Sequence, residues 1–276
     1  MNRSLAACIL VAALASWGLA ACAPGTKQQA VASGESSHPW DKAQQLALQT
    51  NADFEKSGAR GIAPHVPALE AELANADKAL HMPDSPNGPI YRLVDGPAQS
   101  LGTLALAMAG GNSENAGRQV VAIPNPYPAI SYDLGFYYNE IGKYGEALRV
   151  LDAGLALPTE GILGVGESTP GLISERGAAL EGLKRWPDVL DNFRKGASIG
   201  GLKPEQLALM LRGQGLALTE LGRLDEAEKV YRDSLTDAPN NPNALRELAY
   251  IAHLRAGGTT VPTGIIATPQ PSQGKS

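Results

Sequence analysis

The chain has few cysteines, few histidines and no excess of basic residues, and each of these features excludes a class of function. Its two cysteines, Cys8 and Cys22, both precede residue 23, so the rest of the chain has none for a disulfide, a zinc site or a thiol catalyst. The four histidines are scattered and pair with no carboxylate at metal-ligand spacing. The net charge of −5 disfavours a surface that binds nucleic acid. We therefore expect no metal or other cofactor and no nucleic-acid partner.

A phosphate-binding loop is also lacking. Residues 161–168 have the glycine spacing of such a loop, but Glu167 stands where the loop requires lysine. A carboxylate at this position would repel the phosphates that lysine attracts. We interpret these glycines as a flexible connection, and the sequence predicts that the protein is not an enzyme.

The first 22 residues have the pattern of an export signal. Arg3 gives a positively charged start, and residues 5–18 form an apolar run that is short for a membrane-spanning helix. The segment Leu19-Ala20-Ala21-Cys22 follows and resembles the lipobox of bacterial lipoproteins. That resemblance implies cleavage before Cys22 and lipidation of its thiol. The alternative is an ordinary secretory signal in which the cysteine is coincidental.

The expected consequence is a lipid anchor. Residues 1–21 would be removed, Cys22 would carry the lipid, and residues 22–37 would form a flexible tether. In bacterial lipoproteins an aspartate after the cysteine favours retention in the inner membrane, and this chain has Ala23 there. The resemblance therefore implies attachment to the outer membrane, on its periplasmic face.

Two amphipathic helices are predicted between Leu211 and Pro239, because apolar residues recur there at helical spacing. Gly222 lies between the two helices, where a left-handed backbone costs glycine little. Gly215 and Ala227 are small, and we expect the helices to cross at close range at these positions. Pro239 ends the second helix because it lacks an N–H group and crowds the preceding turn.

This order of small, large and turn residues resembles the tetratricopeptide repeat, a 34-residue helical hairpin. Residues 134–155 match the same pattern, and residues 177–197 match it more weakly, because Lys184 replaces the turn glycine and Val189 replaces the small alanine. The resemblance implies an all-α solenoid over residues 128–256. We predict about three repeats, which begin near residues 128, 170 and 208, and a capping helix from residue 242.

Residues 38–127 are predicted to form a less regular N-terminal extension. Residues 40–55 and the apolar stripe over residues 66–80 have helical patterns, and in one interpretation they form a degenerate repeat. Residues 90–94 and 119–123 are predicted to be two short strands that pack on a helix. The tail, residues 257–276, is rich in threonine, proline and glycine, and we expect it to be disordered.

The resemblance also implies a binding groove, lined by fixed positions on the first helix of each repeat. On this chain those positions hold Tyr132, Phe136 and Asn139 in the first repeat, Arg212 in the third, and Arg246 and Tyr250 in the capping helix. Aromatic residues at one end and arginines at the other suit an extended peptide with an acidic group. The alternative is that Tyr132 and Phe136 pack against the preceding segment of the chain.

Together these features predict a membrane-anchored adaptor that binds a protein or peptide in its groove. We expect it to act in the assembly or maintenance of the cell envelope. Two alternatives remain. One is a lipoprotein of pilus or secretion-system assembly. The other is a module that binds peptidoglycan or carbohydrate, for which the groove offers few aromatic residues.

Overall fold

The computed structural model describes residues 38–81, 88–108, 118–157 and 166–259. The predicted signal peptide, Cys22 and the tether lie outside these residues. So do most of the glycine-containing connection before residue 168 and the tail after residue 259. No helix in the described ranges is long and apolar enough to cross a membrane.

The described chain begins with a helical hairpin. Its first arm is α1 (Asp41–Ser57), and its return arm comprises α2 (Ala59–Ile62), a 3-10 turn (Ala63–His65), α3 (Val66–Ala74) and α4 (Ala76–Leu80). Gly58 turns the chain with a φ of +59°. At Gly61 a side chain would overlap the backbone of Asp53, so the arms approach closely there. His65 Nε2 lies 2.9 Å from Asp53 Oδ2 and adds a polar contact between the arms.

A small β–α–β unit follows. It comprises β1 (Ile90–Val94), α5 (Pro97–Met108) and β2 (Val120–Pro124), where the sequence predicted two short strands and a helix. The two strands are parallel, with Ile90 opposite Val120 and Val94 opposite Pro124. Gln44 of α1 donates a hydrogen bond of 2.8 Å to the Pro124 carbonyl, which attaches the unit to the hairpin.

The remaining helices form three consecutive hairpins and a final helix. They are α6 (Tyr127–Glu140) with α7 (Tyr144–Leu155), α8 (Thr169–Gly182) with α9 (Trp186–Ala197), α10 (Pro204–Glu220) with α11 (Leu224–Asp237), and α12 (Pro242–Arg255). Gly142 and Gly222 join the helices of the first and third hairpins with φ values of +74° and +71°. The prediction of an all-α, tetratricopeptide-like solenoid with an irregular N-terminal extension is confirmed.

Each hairpin closes around a glycine on its first helix. A Cβ atom at Gly215 would lie 2.7 Å from the ring of Tyr231 on α11. The equivalent Gly135 faces Leu151 on α7 at 2.5 Å, and Gly177 meets the ring of Phe193 on α9 at a comparable distance. Because real Cβ atoms essentially never come this close, the two helices can cross only if this position has no side chain.

The solenoid curves. Successive first helices (α6, α8, α10 and α12) pack on one another, whereas successive second helices (α7, α9 and α11) have little contact. The first helices therefore lie on the inner side of the curve. We call this inner side the groove face.

The buried apolar residues form two clusters that meet in the second repeat. The first cluster joins the extension to the first repeat and includes Ile62, Leu69 and Leu134. The second cluster joins repeats two and three to α12 and includes Tyr231 and Ile251. The extension therefore packs on the first repeat and shares its apolar cluster.

A half-buried carboxylate also connects the extension to the second repeat. Asp95, directly after β1, accepts hydrogen bonds of 2.9 Å from both the backbone N–H and the hydroxyl group of Ser168. Ser168 immediately precedes α8, so Asp95 satisfies donors at the start of that helix. Burial raises the pKa of Asp95, and the two hydrogen bonds act in the opposite direction.

Candidate functional site

The front end of the groove face is aromatic and largely occupied by the chain itself. The Tyr132 ring stacks on that of Phe136 with centroids 6.4 Å apart, and Phe136 meets the edge of Phe54 from α1 at 5.4 Å. Tyr132 is only 6% exposed. Phe136 thus packs against the preceding segment, as the alternative interpretation proposed, and its partner there is α1. Tyr132 leaves little ring surface for a ligand.

Asn139, the next predicted groove residue, is also used within the chain. It is 4% exposed, and its Nδ2 donates hydrogen bonds of 2.9 Å to both the backbone oxygen and Oε2 of Glu175 on α8. The side chain therefore joins the first two repeats. Its Oδ1 is buried without a hydrogen-bond partner in the described part of the chain.

A carboxyl group that the sequence analysis did not single out lies beside these residues. Burial raises the pKa of Asp133 to about 7. Among the described residues it forms no hydrogen bond or ion pair, and its charge acts on the neighbouring Tyr132. The signal for it was present, because Asp133 is the one charged residue in the otherwise apolar and aromatic run from Tyr127 to Tyr138.

The rear end of the groove face has a different chemistry, centred on Arg212 of α10. This side chain is half-buried, and burial lowers the pKa of its guanidinium. Within the described ranges Arg212 forms no hydrogen bond and no ion pair, although it lies near Tyr231. A charge that has lost water without gaining a partner is unfavourable. An anionic group of a ligand would relieve that cost.

A buried tyrosine and a carboxyl group connect Arg212 to the final helix. The pKa of Tyr231 is raised well above its usual value, first by burial and then by the charge of Glu247 on α12. Burial likewise raises the pKa of Glu247, and the charge of Arg246 opposes this shift. Arg212 and Arg246, on two different helices, therefore act on the pair formed by buried Tyr231 and half-buried Glu247. The structure brings these two predicted groove residues to the same end of the face.

The other predicted contacts at this end differ in accessibility. Arg246 is exposed and donates a hydrogen bond to Asn243. Tyr250 is half-buried and has contacts of its own. Between the two ends, the second repeat contributes Ser174 and Ala178, both half-buried. The aromatic pair and the arginines thus form two separate ends rather than one cluster.

One pattern associated with serine nucleophiles does occur, as Gly196-Ala197-Ser198-Ile199-Gly200. A nucleophile elbow requires a strand before the serine and a helix after it, whereas here a helix precedes the serine. Ser198 lies just after α9, and its hydroxyl donates a hydrogen bond of 2.7 Å to the Lys195 carbonyl. In the described chain, no group of three or more His, Cys, Asp or Glu side chains could hold a metal ion. These residues give no support to a catalytic site.

Comparison with known families agrees with the hairpin geometry. A family model described as tetratricopeptide repeat matches residues 208–251, which are most of α10, all of α11 and most of α12. No curated protein and no solved structure matches the chain. The chain therefore contains a tetratricopeptide-repeat region, and such regions are typically scaffolds for protein–protein interaction rather than enzymes.

Proposed function

We propose that the protein is a membrane-anchored adaptor that binds an extended, acidic segment of a partner protein along its groove face. We further propose that it does so in the assembly or maintenance of a bacterial cell envelope. Arg212 is the observation that carries the binding part, because it is a half-buried cation on the groove face without a partner in the described chain. A carboxylate of a bound peptide would supply the missing hydrogen-bond acceptors.

The ends of the groove face suggest where such a segment would lie. The front end is filled by the Phe54–Phe136 contact and by the Asn139–Glu175 hydrogen bonds. The rear end has Arg212 together with the exposed Arg246. We therefore place the acidic part of the partner at the rear, over α10 and α12.

Site-specific photocrosslinking in intact cells tests the groove. A photoreactive residue at position 216, on the groove face of α10, is compared with one at position 229, on α11, where Lys229 is exposed and pairs with Asp233. We expect a discrete crosslinked partner only from position 216, and we expect Arg212→Ala to abolish it. Equal crosslinking from both positions, or crosslinking that survives Arg212→Ala, would contradict the proposal.

Arg246→Ala is the companion variant. Because Arg246 is exposed and donates its side-chain hydrogen bond to nearby Asn243 on the same helix, we expect the melting temperature to stay nearly unchanged. The crosslink from position 216 should become weaker. Early unfolding of this variant would instead make Arg246 a packing residue.

The anchor is tested separately. The motivation is the lipobox-like Leu19-Ala20-Ala21-Cys22 after an apolar run. Cys22→Ala, or treatment of the cells with globomycin, should move the protein out of the membrane fraction. Unchanged fractionation would remove the anchor from the proposal and leave the groove untouched.

A further inference from the structure

The final helix has the residues of a repeat's first helix, but within the described chain no further helix follows it to close a hairpin. Aligned with α10, the sequence of α12 places Leu245, Ala249 and Ala252, all exposed, where α10 has Leu211, Gly215 and Leu218. In α10 that face is covered by α11. Among the described elements α12 packs mainly on α11 and to a smaller extent on α10, through its opposite side, where Ala244 and Ile251 are buried.

The three complete hairpins show what normally covers this face. In each hairpin a large residue of the second helix lies against this glycine. Leu151 lies against Gly135, Phe193 against Gly177, and Tyr231 against Gly215. On α12 the equivalent residue is Ala249, which is exposed. Leu245 on the same face is 49% exposed. These residues form an apolar stripe along α12, which we call the open face.

The charges around the open face indicate the chemistry of its occupant. The exposed arginines of α12 are Arg246 and Arg255, and its one acidic residue, Glu247, is half-buried against Tyr231. Arg255 already pairs with two carboxylates of α11, Asp225 and Glu228. A helix that lies along the open face would meet Arg246 at its border, so an acidic flank on that helix is complementary.

We propose that the open face binds an amphipathic, acidic helix of a partner protein, which packs antiparallel to α12 and completes a fourth hairpin. A large apolar residue of that helix would cross Ala249, as Tyr231 crosses Gly215. The apolar contacts of this helix-in-groove site are Leu245, Ala249 and Ala252, which are not groove residues, and the two proposed sites share only Arg246 at their border.

Two other occupants, the chain's own C-terminal tail and a second copy of the chain, fit less well. In the sequence beyond Thr259, Pro262, Gly264, Pro269 and Pro271 leave no stretch long enough for three turns of unbroken helix. A second copy that packed through its own α12 would bring the basic residues of the two helices together. A partner helix of opposite charge avoids both problems.

The test uses the full chain and a labelled synthetic peptide with the sequence of residues 223–237, which is this chain's own acidic second helix. Fluorescence anisotropy should show saturable binding, and Leu245→Asp should weaken it at least tenfold. Leu48→Asp is the matched control, since Leu48 is also an exposed apolar residue, on α1. A peptide with alanine in place of Tyr231 should bind more weakly than the parent peptide.

Arg212→Ala should leave peptide binding unchanged, which separates the open face from the groove face. The proposal is overturned if the peptide does not bind, or if Leu245→Asp and Leu48→Asp weaken it equally. Sedimentation velocity gives the remaining outcome. A dimer that is lost in Leu245→Asp would assign the open face to a second copy and would also overturn the proposal.

Discussion

The two ends of the solenoid are completed in different ways. At the front, α6 is covered by the N-terminal hairpin, whose Ile62 and Leu69 are fully buried in the same cluster as Leu134. At the rear, α12 covers the third repeat but leaves Leu245 half-exposed. Every repeat has an apolar face that must be covered, so an array of repeats needs a cover at each end.

The difference between the ends bears on function. At the front, the predicted groove residues Tyr132, Phe136 and Asn139 are engaged in contacts within the chain. At the rear, Arg212 lacks a partner in the described ranges and the face around Leu245 is open. The surfaces that remain for binding are therefore concentrated at the rear of the array.

The largest expected difference between the ends comes from a matched pair of leucine truncations. Leu69→Ala should lower the free energy of unfolding by about 2–5 kcal/mol, because it leaves a cavity between the hairpin and α6. Leu245→Ala should change it by less than about 0.5 kcal/mol, because that side chain is already half in water. Urea denaturation followed by circular dichroism measures both. Similar losses would mean that the open face is covered in solution.

A second pair of substitutions compares position 215 on α10, which α11 crosses, with the equivalent position 249 on α12, which no helix crosses in the described chain. Gly215→Leu should cost about 1–3 kcal/mol, because even its Cβ would lie 2.7 Å from the Tyr231 ring. The damage should spread to α12, since a solenoid repeat depends on its neighbours. Ala249→Leu, at the equivalent position of α12, has space and should be nearly neutral. If Gly215→Leu melts like the unaltered protein, the close crossing assigned to this repeat is wrong.

The helical hairpins could be predicted because their determinants are local. Gly215 and Ala227 mark the crossing, Gly222 marks the turn, and apolar residues recur at helical spacing between them. In the structure Ala227 is fully buried and Gly222 has the left-handed backbone that favours glycine. Short-range patterns of this kind therefore predict how the two helices of a hairpin pack on each other.

The groove contacts could not be predicted in the same way, because their environment depends on distant segments. Nothing near Phe136 in the sequence indicates that Phe54 will meet it, and nothing near Asn139 indicates Glu175. The hydrogen bonds from Ser168 to Asp95 have the same character, because the two residues are 73 positions apart in the sequence. A family pattern gives the positions that face inward. It does not give the segments that cover them.

The half-buried carboxyl group of Asp133, at the front of the groove face, predicts a dependence of stability on pH. Burial raises the pKa of Asp133 from 3.8 to about 7, so the folded state holds its proton more tightly than the unfolded state does. Stability from this group is therefore present below pH 4, declines as pH rises toward 7, and is lost above it. Asp133→Asn should stabilise the protein more at pH 8 than at pH 5, by on the order of 2 kcal/mol.

Thermal melts of the unaltered protein and of Asp133→Asn at several pH values test this expectation. Glu247→Gln is the comparison at the rear, where burial also raises the carboxyl pKa. Both substitutions should help more at higher pH. An effect of Asp133→Asn that is the same at pH 5 and pH 8 would show that this carboxyl does not titrate between them.

The smallest expected effect concerns the second hairpin, which lies between the two ends and contains the meeting point of the two apolar clusters. Its turn residue Lys184 has a φ of +56°, a left-handed backbone that is unfavourable for any residue with a side chain. Lys184→Gly should therefore raise stability by about 0.5–1 kcal/mol.

Gly222→Lys is the reverse change at the equivalent turn, where a Cβ meets nothing within 4 Å, so only backbone strain is added and about 1 kcal/mol should be lost. Because α8 of this hairpin contributes residues to both clusters, Lys184→Gly should also steepen the thermal transition, as the front and rear would unfold more nearly together. A more stable variant with an unchanged transition width would mean that the two ends are already fully coupled through other contacts, such as the Asn139–Glu175 hydrogen bonds.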